Sequence, residues 1–405
     1  MTLHEHTSDE GGEFPFHVCH QKITVPLEYP VYFTRRLFDP RNGLLESVLG
    51  RLNEPRRHRA AVYLDSGLAS AQPTLAEQVK EYFHVRQQAL ELTLPPQIVP
   101  GGEAAKNSWN IVREIMWTAG NVHLDRHSCV VAIGGGSVLD MVGFAASLVH
   151  RGVRVVRVPT TTLAQNDAGV GVKTSMNEHG QKNFAGTFAA PFAVINDSTL
   201  LTTLSDRDWL GGVSEAYKVA IIKDADFLGF LCDHAKAIRQ RQMPPMETLI
   251  RRCAELHLQH IREGGDPFET GSARPLDFGH WSAHKLETMS SYTIGHGQAV
   301  AIGIAMDSYY AMHHGLITQE ALEKILRGLS QSGLAIYSDL LEHRTGEGEL
   351  EILEGLELFR EHLGGVLTIT LPDGLGKKTD VHHMDVAVIE QGVVYLKHAA
   401  KAIGV

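Results

Sequence analysis

The sequence predicts an α/β half built on a parallel sheet, followed by a mainly α-helical half. Three observations carry this. Apolar runs of strand length alternate with amphipathic stretches as far as Val158, the pattern of strands joined by helical crossovers. The apolar run at 129–134 leads straight into a triple-glycine turn and a helical stretch reaching about His150. From Asp206 onward the texture is that of helices.

Taken in order, residues 17–25 and 31–34 read as strands at a sheet edge, and 42–52 as a helix. Residues 60–65 are an apolar strand that ends on an acid. A helix over 75–83 and a strand over 89–94 follow. Residues 104–118 carry helical apolar spacing at Trp109, Val112, Ile115 and Met116. After the glycine turn comes a strand at 153–158, then Pro159-Thr160-Thr161-Thr162 leading to Asp167. Gly169, Gly171, Lys173, Gly180, Lys182 and Asn183 form a glycine-rich loop. In the second half, 246–261 is a helix, 264–275 a loop, and His296 opens a helix of small residues. Further helices run to about residue 362. A basic loop at 376–383 precedes two strand-like runs, 386–389 and 393–396.

Composition narrows the function. With 405 residues there is room for two cores. A hydrophobic share of 43% and a charged share of 21% belong to a globular protein. The formal charge of -10 argues against general nucleic-acid binding and against an anionic membrane surface. No apolar run reaches membrane-spanning length, and the polar, acidic start lacks a signal core. Cys19, Cys129, Cys232 and Cys253 show no CxxC spacing and read as reduced thiols of a cytoplasmic protein.

Several patterns carry chemistry. Gly134-Gly135-Gly136-Ser137 lies between a strand and a helix, where glycines admit a pyrophosphate to free helix N–H groups. The spacing is not that of the dinucleotide fingerprint, and many strand-to-helix turns contain glycine. Asp65 suits ribose hydroxyls or, equally, a helix cap. The three threonines and Asp167 fall where α/β proteins place ligands, or form a simple turn. Lys173 and Lys182 suit a phosphorylated small molecule, against the solvated surface that lysines usually occupy. Glu215 and Lys218, one helical turn apart, read as an ion pair or as a metal ligand beside a catalytic lysine. His280 and His284 share a helix face, a geometry suited to a divalent metal or to packed histidines.

Together these motifs resemble the sugar phosphate cyclases, the superfamily of 3-dehydroquinate synthase, from about Asp65 to Lys378. The resemblance implies an N-terminal NAD-binding α/β domain and a C-terminal, mainly helical metal domain, with the site between them in a homodimer. It divides the chain into a disordered tail at 1–15, the NAD domain at 16–200 and the metal and substrate domain at 201–405. Gly102, Glu103 and Lys106 resemble the family's GGExxK loop, and Gly134 to Asp140 its GGGxxxD turn. Thr160, Thr161 and Thr203 would also contact NAD. The resemblance assigns Zn2+ or Co2+ to Glu215, His280 and His296. His284, unlike the reading from spacing alone, becomes catalytic. Asp167, Lys173 and Lys218 would act on substrate. Lys182, Asn183 and one of Lys377 or Lys378 would contact substrate or phosphate. Arg151 would reach the partner subunit's phosphate. The implied reaction is oxidation, β-elimination of phosphate, reduction and intramolecular aldol closure, with NAD recycled.

Departures bear on the substrate. The family's carboxylate pocket uses an arginine seven residues ahead of the first histidine and a lysine before the histidine helix. The arginine position here is Ala273, Arg274 lies one residue later, and the lysine region reads His257-Leu258-Gln259-His260. A substrate carboxylate would lose charge-assisted partners, each worth about 1.5–3 kcal/mol. A neutral hydroxymethyl group would not. The signature from Gly265 to Glu287 looks most like the 2-epi-valiolone synthase-type branch, which implies sedoheptulose 7-phosphate as substrate. The alternatives are a true 3-dehydroquinate synthase, with Arg274 replacing the missing arginine, and a metal-dependent polyol dehydrogenase of the glycerol type.

Overall fold

The computed structural model describes residues 18–179, 181–264, 275–362 and 365–404. The expected tail, Gly180 and Arg274 lie outside them.

The first half holds β1 (Val31–Thr34), β2 (His58–Asp65), β3 (Leu90–Leu92), β4 (Gln97–Val99), β5 (Cys129–Gly134), β6 (Arg154–Pro159), β7 (Lys173–Glu178), β8 (Gln181–Phe188) and β9 (Ala193–Asp197). Its helices are α1 (Leu44–Leu49), α2 (Ser66–Ala71), α3 (Leu75–Val85), α4 (Trp109–Asn121) and α5 (Gly136–Leu148). The main sheet is parallel, in the order β1-β9-β6-β5-β2-β3, and β4 also pairs with β2. Side-chain alternation feeds two cores. Val131 and Ile133 of β5 pack with α1 and α3 on one face, while Val130 and Ala132 pack with α4 and α5 on the other. Strand order reverses between β2 and β5, so their carboxyl ends form a switch point at which such sheets bind ligands. Asp65 and Gly134 sit there.

The second half holds α6 (Asp206–Gly211), α7 (Val213–Lys223), α8 (Ala225–Arg239), α9 (Met243–Glu263), α10 (His280–Met289), α11 (His296–His313), α12 (Gln319–Gln331), α13 (Glu354–His362) and α14 (Val386–Ile403). A hairpin of β10 (Ile369–Pro372) and β11 (Lys378–Val381) interrupts them. Helix α7 is buried on every face from Val213 to Ile222, and α11 from Ala299 to Ala311. They form the centre of this half. Among the described residues no helix is long and apolar enough to cross a membrane.

Four expectations are corrected. Residues 18–25 form no strand and are exposed, because no neighbouring strand satisfies their backbone. The expected glycine-rich loop is largely the antiparallel hairpin β7–β8. The two strand-like runs near the C-terminus belong to one helix, α14. Ile389, Val393, Leu396 and Ala400 recur at helical spacing and are buried, and Asp385 caps the start by accepting from the Ala387 N–H. The helix expected from residue 104 starts at Trp109, because Ser108 is extended after a short turn over Glu103–Asn107.

Candidate active site

A cavity of about 620 Å³ opens between the sheet and the helical half. Asp140, Asp167, Lys173, Asn183, Lys218, His280, His284 and His296 all line it. Residues spread over the chain as separate motifs therefore share one space.

The sheet side is closed by hydrogen bonds. Lys106 is 3% exposed, and its ammonium reaches Asp140 at 2.7 Å and also Asn183 on the hairpin. Ser175 donates to both Asp140, at 3.1 Å, and Asn183, at 2.8 Å. Glu103 accepts from Ser137 and from Asn177. The GGExxK loop, the helix after the glycine turn and the hairpin are thus tied into one network. Asp65 caps α2 by accepting from the Gly67 and Leu68 N–H groups, the second of its two local readings. It also packs against the GGExxK loop, where a Cβ on Gly101 would lie 2.4 Å from its Oδ2, and against the glycine turn, where a Cβ on Gly134 would lie 3.2 Å from its Cβ. Thr160 donates its N–H to the Gly134 carbonyl, and Thr161 lies against Gly135. Thr203 sits at the same edge, bonded to Gln72. Arg157, an arginine inside an apolar strand, is buried under the chain after Asp167. It donates to the carbonyls of Gly169, Gly171 and Lys173 and so fixes the route to Lys173.

The helical side has a different character. Glu215 is fully buried on α7. Its contacts are ionic: Lys218 on one oxygen, and His280 Nε2 at 3.7 Å and His296 Nε2 at 3.5 Å from the other. Burial alone would raise the Glu215 carboxyl; Lys218, His296 and His280 hold it well below its usual value. The other ring nitrogens are already committed. His280 Nδ1 donates to the Phe278 carbonyl at 3.1 Å, and His296 Nδ1 lies 3.2 Å from Glu287. Both Nε2 atoms are left facing Glu215. Ligand atoms of a tetrahedral zinc site stand roughly 3.3 Å apart, given bonds of about 2.0–2.1 Å. Two imidazole nitrogens and the carboxylate oxygen they face, at these separations, fit such an ion. His284 stacks beside His296 with ring centroids 6.1 Å apart.

Helix α10 is aimed by α11. Gly279 precedes His280 at φ +79°, and its carbonyl would lie 1.9 Å from a Cβ on Gly303. Only glycines permit this approach. Asp307 then accepts from the Gly279 N–H and from Trp281 Nε1, at 3.0 and 2.8 Å. Burial pushes its carboxyl up to about 7, against those two donors.

Not every expected residue enters the cavity. Arg151 lines a separate cavity beyond the β7–β8 hairpin. Lys182 pairs with Glu287 at 3.2 Å and lies over the Tyr292 ring. Lys377 and Lys378 lie beside the end of α7, where Lys378 pairs with Asp380. Sequence reasoning missed Arg157, Glu287, Asp307 and His257, whose Nδ1 lies 2.7 Å from Asp167. For Arg157 and Asp307 the available signal was a charged residue set in an otherwise apolar stretch.

The sequence model of the 3-dehydroquinate synthase N-terminal family matches residues 96–211, and that of the 3-dehydroquinate synthase C-terminal family matches 212–347. A 3-dehydroquinate synthase from Pseudomonas putida (strain W619) is 34% identical over 76% of this chain and 80% of its own. A 2-epi-5-epi-valiolone synthase from Streptomyces glaucescens is 31% identical over 88% of each. The solved 2-epi-5-epi-valiolone synthase from Streptomyces hygroscopicus subsp. jinggangensis 5008, with NAD+ and Zn2+ bound, superposes with a TM-score of 0.80 at 28% identity. That match covers 94% of this chain and 99% of the other.

Proposed function

The chain belongs to the 3-dehydroquinate synthase family of sugar phosphate cyclases, and from that premise we propose that it is an NAD- and zinc-dependent enzyme. It would convert sedoheptulose 7-phosphate to a C7 cyclitol of the 2-epi-valiolone type. What carries this reading is the fully buried Glu215 carboxylate beside two histidines, at the same cavity as Lys173, Asn183 and His284. The altered carboxylate pocket in the sequence supports a neutral heptulose phosphate.

When bound, NAD would take and return a hydride, and the metal held by Glu215, His280 and His296 would polarise the ring hydroxyl that loses it. The chain's own residues do the rest. Lys106, Asp140 and Glu103 set the floor of the nucleotide site at the sheet switch point. Lys173, Asn183 and His284 would hold the phosphate while it departs, with Arg151 of a second copy of the chain adding charge in a homodimer. Asp167 and Lys218 would order the ring hydroxyls. Lys218 keeps its proton, because Glu215 and Asp167 raise its ammonium above the usual value despite burial.

A second reading, 3-dehydroquinate synthase, is favoured by the relative from Pseudomonas putida. One experiment separates the two. Protein loaded with NAD and zinc is incubated with sedoheptulose 7-phosphate and, separately, with 3-deoxy-arabino-heptulosonate 7-phosphate. Phosphate release and the carbocycle are followed by NMR. Turnover of the first sugar alone supports the proposal; turnover of the carboxylate sugar alone overturns it. Accumulation of free NADH would instead mark a polyol dehydrogenase.

A further inference from the structure

Helix α9 packs against the turn Ala164–Ala168 and brings His257 to Asp167. The Nδ1 to Oδ1 distance is 2.7 Å, the side chains are 16% and 25% exposed, and both residues line the cavity. A Cβ on Gly171 would sit 3.8 Å from His257 Nε2, so that nitrogen points toward the chain that leads on to Lys173. Ile261, one turn further along α9, lines the same wall.

The pairing constrains what this wall offers. A carboxylate accepts only, so Nδ1 carries the proton that it shares with Asp167. In the neutral ring Nε2 is then an acceptor, beside the second acceptor oxygen of Asp167. Burial would raise the Asp167 carboxyl, but His257 and Lys218 outweigh it and hold the group ionised. The charge of Lys218 is itself shared with Glu215 and Asp277. The pair carries one negative charge with a neutral ring and none with a protonated one. It is never a net cation. Such a wall suits the O–H donors of an uncharged hydroxymethyl or polyol end. A carboxylate there would bring two more acceptors against acceptors.

We propose that the Asp167–His257 pair is a specificity-determining device of this site, accepting an uncharged hydroxylated end of the substrate and rejecting a carboxylate. The inference rests on the cyclase reading and assigns its substrate preference to named atoms.

The test compares the wild type with His257→Lys and His257→Leu. All are loaded with NAD and zinc and assayed on the two sugar phosphates named above. In parallel, dissociation constants for both sugars are measured by calorimetry on protein loaded with zinc and NADH, which cannot accept a hydride. Wild type is expected to favour the neutral sugar at least about a hundredfold in binding. Lysine, whose ammonium Asp167 would stabilise, is expected to narrow that ratio by at least tenfold. Leucine is expected to raise KM for the neutral sugar about tenfold with a smaller change in kcat. If both variants leave the ratio of dissociation constants within twofold of wild type, the inference is overturned. If wild type turns over neither sugar and the binding ratio still moves with His257→Lys, the inference stands and the cyclase reading fails.

Discussion

The two walls of the cavity solve opposite problems. On the sheet side Lys106, Asp140, Ser175, Asn183 and Glu103 satisfy one another. On the helical side Glu215 is fully buried, with Lys218 on one oxygen and two imidazole nitrogens converging on the other. A buried carboxylate is costly unless it is fully compensated. The first wall is complete as protein. The second presents the donor set of a divalent ion. A buried polar cluster can therefore be sorted by whether its atoms are already spent.

Glu215→Ala tests that contrast most severely. It removes the proposed oxygen ligand, so bound zinc should fall to the background of chelator-treated protein. Turnover should drop by more than about a hundredfold, beyond the range of outer-shell changes. Elemental analysis and phosphate release check both. Full metal content with full turnover would erase the contrast.

Glu287→Gln is milder. Glu287 touches His296 Nδ1 and Lys182, and sits outside the triad. Burial would raise its carboxyl, yet His296, Lys182 and His284 hold it down at about 2, so it is ionised at neutral pH. Replacing it by an amide should weaken zinc binding by about 10–100-fold, as for other orienting partners of ligand histidines. Competition with a chromophoric chelator reads this directly. An unchanged affinity would mean that α10 and α11 packing alone orients His296.

Lys106→Met attacks the completed wall. It strips Asp140 of its cation and leaves Ser175 as the remaining donor among the described contacts. The expected loss is about 1–3 kcal/mol of stability, with zinc content unchanged. A thermal melt beside elemental analysis would show this. A variant that loses zinc as well would mean that the two walls are coupled.

The same contrast explains what was legible in the sequence. The parallel sheet announced itself because β2 and β5 are short apolar runs between turns, and the triad because its residue types stand out. The partners did not. Asp307 lies in a helix whose other residues read as core, and its role depends on Gly279 and Gly303 meeting across two helices. His257 looked like the absence of a lysine, because its meaning needs Asp167, ninety positions earlier in the chain. Helix α14 was misread because valine and isoleucine favour strands locally, whereas burial at helical spacing decided the outcome.

Asp307→Asn is the finest probe, since it touches neither wall and acts through the aim of α10. The Asp307 carboxyl titrates at about 7 in the fold against a usual 3.8. Between those values the folded chain binds the extra proton and the unfolded chain does not, so stability falls as pH rises from about 4 to 7 and is level above. One proton limits the slope to about 1.4 kcal/mol per pH unit. Asparagine has no such titration. The difference between wild-type and variant unfolding free energies should therefore shift in the variant's favour from pH 5 to pH 7 and then stay constant. Chemical denaturation at several pH values measures it. A flat difference would mean that the donors from Gly279 and Trp281 outweigh burial and hold Asp307 ionised throughout. That result would make the clamp on α10 a charged one at every working pH.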